Sequence, residues 1–128
     1  MAGGSGGGWG GGCSPESVLV GIINIVREIQ AHKPNATVVV NGILPRPGDE
    51  ETGRLYGSLW TDISWINERL ECFTKGVDGV EFFNATDLFV NGTHINSTRL
   101  PDMLHPSAEG ARVWGMEIVK KVKELIKT

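Results

Sequence analysis

Asp102 and His105 stand three residues apart in Asp102-Met-Leu-His105-Pro-Ser-Ala-Glu-Gly110, just ahead of a long amphipathic stretch. A carboxylate and an imidazole at this spacing can meet across one turn of backbone. The carboxylate then accepts the Nδ1 proton, which fixes the imidazole tautomer and stabilises an imidazolium. Nε2 is left to deprotonate a hydroxyl nucleophile. Pro106 suits the first turn of a helix, where its missing N–H costs nothing, and Glu109 suits the positive end of that helix. The spacing offers Asp102 and His105 as a catalytic acid–base pair. A loop aspartate beside a helix-capping histidine has the same spacing, so residue types alone leave both roles open.

The nucleophile such a pair would serve is harder to find. Ser5 sits in Gly-Gly-Ser-Gly-Gly within a first dozen residues of which eight are glycine. No strand and helix flank it to hold a nucleophile turn, so residues 1–13 are expected to be a disordered linker. The match of Gly6 to Gly11 to G-x-G-x-x-G is trivial, because nearly every position is glycine and no strand precedes it. Ser14 and Ser107 each stand just before an apolar periodic run and read as helix N-caps. Cys13 and Cys72 fit no zinc spacing, and whether they form a disulfide is open. His32 and His94 have no ligand pattern around them and read as surface loop residues. No metal and no cofactor is expected.

The elements that must position the pair can be read from periodicity. Val18, Ile22, Val26 and Ile29 recur at helical spacing over 15–31, with Ser14 as N-cap and Pro15 at the first position. The β-branched run 37–44, bounded by Pro34-Asn35 and Pro45, predicts a strand buried on both faces. A polar loop, 46–53, follows. From about Asp62, Ile63, Ile66, Leu70 and Phe73 predict a second helix that stops at Lys75-Gly76. Residues 80–85 predict a second strand, 86–105 a long loop, and 107–127 a final helix. Trp60 and Trp65, with Tyr56 and Phe73, could line an acyl or sugar pocket, but aromatic residues at helical spacing are more often core. Trp114 reads as core too.

Alternating helix and strand implies an α/β layered fold with parallel pairing. The loop 86–105 would deliver Asp102 and His105 beyond the carboxyl edge of the sheet, where open α/β sheets place their sites. Two strands make a marginal sheet, so a homo-oligomer or a partner segment is expected to complete it.

At 128 residues and a net charge of −3, the chain is at most one domain, and no basic surface points to nucleic acid. No apolar run approaches the roughly 20 residues of a membrane span. Asn35-Ala-Thr, Asn84-Ala-Thr, Asn91-Gly-Thr and Asn96-Ser-Thr are glycosylation sequons and suggest a secretory or extracellular glycoprotein, although no signal peptide lies within the chain. Turns rich in Asn and Thr produce the same pattern.

Three segments, in order, resemble one family. The block Asp102 to Gly110 with the helix after it is similar to the last motif block of the SGNH (GDSL-type) esterases and acetylhydrolases. The helix from Ser14 leading into Thr37-Val-Val-Val-Asn-Gly-Ile-Leu-Pro-Arg46 resembles that family's helix–strand unit with its G-[IL]-[LM]-P-R turn. Ile66 to Leu70 and Val80 to Asn84 resemble the helix and strand that follow. The likeness covers residues 14–128, as a partial domain of a three-layer α/β/α, flavodoxin-like fold. It implies a serine ester hydrolase acting on a small-molecule, glycan or lipid ester, with Asp102 and His105 as its acid–base pair. The family's G-D-S nucleophile block and G-x-N-D oxyanion-hole block occur nowhere here and are expected to lie upstream. The alternative is an inactive fragment, or an acyl- or carbohydrate-binding module of the same fold.

Overall fold

The computed structural model describes residues 14–127. The elements follow in the order α1 (Pro15–His32), β1 (Val38–Asn41), α2 (Gly57–Lys75), β2 (Val80–Phe83), a 3-10 turn (Thr86–Phe89), β3 (Val90–Asn91), β4 (His94–Ile95) and α3 (Ala108–Ile126). Ser14 caps α1 as its position implies: its side chain accepts from the Ser17 N–H, with Pro15 in the first turn. Ser107 caps α3 in the same way, accepting from the Gly110 N–H at 3.0 Å. Pro106 therefore stands before the cap and not inside the helix.

β1 and β2 pair in parallel, Val38 opposite Val80 and Val40 opposite Phe82. Residues in register share a face, so Val38, Val40, Val80 and Phe82 point one way, and Val39, Asn41, Glu81 and Phe83 the other. The first face is covered by α1 and α2. Val26, Val40, Ile66, Leu70 and Val80 form its buried centre, and Val18, Leu19, Ile22 and Phe73 pack around it. α3 lies on the opposite face. There the Trp114 Nε1–H donates to Asn41 Oδ1 at 3.0 Å, and Lys121 reaches Glu81 at 3.4 Å. The result is the expected three-layer α/β arrangement.

The strands are shorter than their β-branched runs, and side chains are the reason. Ile43 leaves the ladder because Asn67 of α2 takes both of its backbone groups: the Ile43 N–H donates to Asn67 Oδ1 (2.8 Å) and Asn67 Nδ2 donates to the Ile43 carbonyl (3.2 Å). Thr86, buried, donates to the same carbonyl at 2.6 Å and accepts from Asn67 Nδ2 at 2.9 Å. A Cβ at Gly42 would lie 2.7 Å from Thr86 Oγ1, so only glycine lets the strand end approach this knot. Asn67→Leu removes three hydrogen bonds and strands the Ile43 N–H. It is expected to cost about 1–3 kcal/mol, read as a lower urea midpoint at unchanged slope.

Expected burial on both faces holds for one face only: Val40 and Val80 are buried, Val38 and Val39 half-buried, and Asn41 exposed. α2 begins at Gly57, one turn and more ahead of Asp62. Its start carries no side-chain cap, which is why the sequence does not mark it. The predicted long loop 86–105 is largely structured. Its centre is a hairpin, β3–β4, turned by Gly92 (φ 62°) and Thr93, with glycine at the first turn position as a type II′ turn requires. Phe89, Ile95 and Leu100 form a second buried cluster beneath it, joined by Leu44, Leu55, Leu88, Met103 and Trp114.

Candidate active site

Leu100 is fully buried and the chain turns sharply just after it. The Met103 N–H donates to the Leu100 carbonyl at 3.1 Å, and Met103 takes φ 64°, the left-handed region that costs an L side chain about 1–2 kcal/mol. Its side chain is held by the second cluster and lies against Gly53, where a Cβ would stand 3.1 Å from Met103 Cε. Gly53 itself has φ 74°. The loop after β1 and the turn before α3 are thus locked together by Met103.

That backbone reversal folds Asp102 back over the residues that follow it. Asp102 Oδ1 accepts from the Leu104 N–H (2.9 Å) and from the His105 N–H (2.6 Å), while Oδ2 meets His105 Nδ1 at 2.7 Å. The two predicted site residues are therefore brought together as their spacing implies. Both are open to solvent, with side-chain exposures of 55% for Asp102 and 75% for His105. With the Nδ1–H donated to the Asp102 carboxylate, His105 Nε2 is the ring nitrogen left open at the surface. Among the described residues, no hydroxyl or thiol is hydrogen-bonded to it.

The Asp102 carboxyl is held down from 3.8 to about 2, first by the His105 backbone N–H, then by the His105 side chain and the Leu104 N–H. A carboxyl lowered in the folded state favours folding above its ordinary pKa, and that contribution fades as pH falls from about 4 through about 2. The Asp102 carboxyl carbon is expected to titrate near pH 2 by NMR. In His105→Ala the residue-105 N–H remains, so the midpoint should rise only part of the way to 3.8. An ordinary midpoint in the intact protein would mean that the turn does not persist in solution.

The other candidates fall elsewhere. Ser107 is committed to its cap and donates its hydroxyl proton to the Thr98 carbonyl at 2.7 Å. His32 is the last residue of α1, bonded through Nδ1 to the Glu28 carbonyl, and His94 lies on β4 beside the Thr93 hydroxyl, so neither is in a loop. Cys72 is exposed on α2. Ser5, Cys13 and the glycine tail lie outside the described residues. Trp65 and Phe73 pack at the rim of the first core and carry Arg69 and Arg27 over their rings. Trp114 meets Phe89 edge-on, with centroids 5.6 Å apart. Tyr56 is exposed. Trp60, by contrast, lines an open cavity of about 260 Å³ with Asn67, Phe82 and Asp87, an aromatic wall beside carboxylates. Among the sequon asparagines Asn35, Asn84 and Asn91 are exposed and Asn96 half-buried. Among the described residues no three His, Cys, Asp or Glu side chains converge, and no helix is long and apolar enough to cross a membrane.

No family model matches the chain, and no curated protein does. Solved structures do. The esterase domain of the ZfL2-1 ORF1 protein from the zebrafish ZfL2-1 retrotransposon superposes with a TM-score of 0.69 at 22% identity, over 88% of this chain and 61% of its own. A Streptococcus pneumonia protein, provisionally described as a platelet activating factor, superposes with a TM-score of 0.70 at 17% identity, over 84% of this chain and 51% of its own. The chain therefore shares an α/β fold with an esterase domain, and spans about half to three-fifths of the length of these two structures.

Proposed function

We propose that this chain carries the acid–base part of an SGNH-type serine ester hydrolase, with the glycine-rich residues 1–13 as a linker to a domain over 14–128. The observation that carries the reading is the 2.7 Å Asp102–His105 contact, with Nε2 turned free. The Asp102 carboxylate accepts the hydrogen bond from Nδ1–H and so orients the ring. His105 Nε2 takes the proton of a serine as its oxygen attacks the ester carbonyl carbon, and returns that proton to the departing alcohol. Water, deprotonated by the same nitrogen, then releases the acid and restores the serine. The serine comes from polypeptide outside the described residues, since among these no hydroxyl is hydrogen-bonded to His105, whose ring contact is to Asp102.

Intact-mass spectrometry after fluorophosphonate treatment tests this on the protein in its native assembly. A single serine adduct that disappears in His105→Ala is the expected result. A folded assembly that takes up no adduct would leave an acyl- or carbohydrate-binding module of the same fold.

A further inference from the structure

Among the described residues, Met103 is the only one besides glycine with a positive φ, and it stands between Asp102 and His105 in sequence. Glycine takes that conformation without strain, so what methionine adds at this position is side-chain contact. Met103 is also the one side chain of its loop that enters the body of the protein. Ahead of the loop Leu100 is fully buried. Behind it Ser107 is tied down twice, its N–H on the Arg99 carbonyl (2.9 Å) and its hydroxyl on the Thr98 carbonyl (2.7 Å). Of residues 101–105, all are exposed except Met103.

The seat that receives it is Gly53, in the loop after β1. Gly53 is buried and held on both sides: its N–H donates to the Asp49 carbonyl and its carbonyl accepts from the Ile95 N–H, each at 2.8 Å. Two residues on, the Leu55 N–H donates to the Thr93 carbonyl at 2.8 Å, so the loop is fastened to the β3–β4 hairpin. A Cβ at Gly53 would lie 3.1 Å from Met103 Cε, 3.4 Å from Sδ and 3.8 Å from Ile95 Cβ. Glycine leaves the room that the thioether fills. The hydrogen bonds of Asp102 run only to Leu104 and His105, and both Asp102 and His105 are exposed, so these bonds compete with water and tie the pair to itself. Met103 is what ties the pair to the fold.

We infer that Met103 is a positioning residue: its contact with Gly53 selects the left-handed turn that folds Asp102 onto His105 and fixes where the ring stands on the protein. Glycine in its place accepts φ 64° but also the rest of the backbone map, so without the thioether contact nothing selects the turn. The loop after β1 thereby acts on the pair through one side chain. For its effect on turnover the inference rests on the catalytic reading of Asp102 and His105. Its effect on their geometry is read without any activity.

Met103→Gly separates side chain from backbone, since it keeps the turn accessible and removes the contact. In the full chain, checked for fold by circular dichroism, NMR should show the Asp102 carboxyl midpoint rising from about 2 toward 3.8. In mildly alkaline solution the His105 ring should pass from the Nδ1–H tautomer to a mixture of the two. Met103→Leu, whose branch reaches the position of Sδ, should hold both signals near those of the unaltered protein. Val26→Ala, in the first core, should lower stability and leave both signals where they were. A midpoint still near 2 in Met103→Gly would overturn the inference. So would an equal shift in Val26→Ala, because the cause would then be general loosening. In the native assembly, fluorophosphonate uptake should slow about 10-fold or more in Met103→Gly and recover in Met103→Leu. Uptake at the unaltered rate in Met103→Gly would overturn the role in turnover. An unaltered assembly that takes up no adduct counts against the hydrolase reading instead, and the carboxyl titration still decides what Met103 does.

Discussion

Phe89→Ala is expected to destabilise the protein by about 3–5 kcal/mol, the range for emptying a fully buried aromatic site. Phe89 is the largest fully buried side chain and joins three pieces of the structure. It ends the 3-10 turn after β2, meets the Trp114 ring of α3 edge-on, and packs with Ile95 of the hairpin and Leu100 ahead of the Asp102 turn. The backbone around it is fixed by the Asn96 N–H donating to its carbonyl at 2.8 Å, so the cavity cannot close by simple collapse. Chemical denaturation should show a lower midpoint. Hydrogen exchange should rise at Leu100, Met103 and His105 before it rises in α1 and α2, because the first core around Leu70 does not contain Phe89. Equal loss in both regions would mean that the two cores unfold as one.

Gly110→Ala should act on the same region through the backbone. A Cβ at Gly110 would fall inside contact distance of the Arg99 carbonyl oxygen and 3.0 Å from Phe89 Cε1. Neither is the loose end of a flexible side chain. The Arg99 carbonyl is already engaged by the Ser107 N–H at 2.9 Å, and Arg99 Nη1 donates to the Leu88 carbonyl at 2.8 Å. The first turn of α3 must then move away, breaking the Ser107 cap. Overpacking of this kind costs about 1–3 kcal/mol, and loss of the cap about 1 kcal/mol more. By contrast, Gly115→Ala adds a methyl to open space on the same helix and should be neutral or slightly stabilising. The pair of variants, compared by thermal melting, separates steric conflict from helix propensity.

The Asp102–His105 contact could be read from the sequence because both partners lie within one turn. The caps at Ser14 and Ser107, and the apolar faces of the three helices, are equally local. The early end of β1 was not legible, because it is decided by Asn67, 24 residues away, whose side chain competes with the ladder for Ile43. The hairpin at Asn91-Gly92-Thr93-His94 was missed because strands of two residues have no period to detect. Met103 in the left-handed region had no sequence signal at all. Only its packing against Gly53 and the second cluster explains why methionine is held there. The paired strands themselves were legible from their β-branched runs.

The Asp102 turn also bears on how replaceable its chemistry is. Two of the three donors that hold the carboxylate are main-chain N–H groups, which every residue except proline brings. The acid therefore keeps both main-chain donors for any residue but proline at position 105, and the turn works as a socket into which other groups can be fitted. An enzyme designer could install a lysine or cysteine opposite a carboxylate that is already oriented and ionised, without rebuilding the loop that holds it.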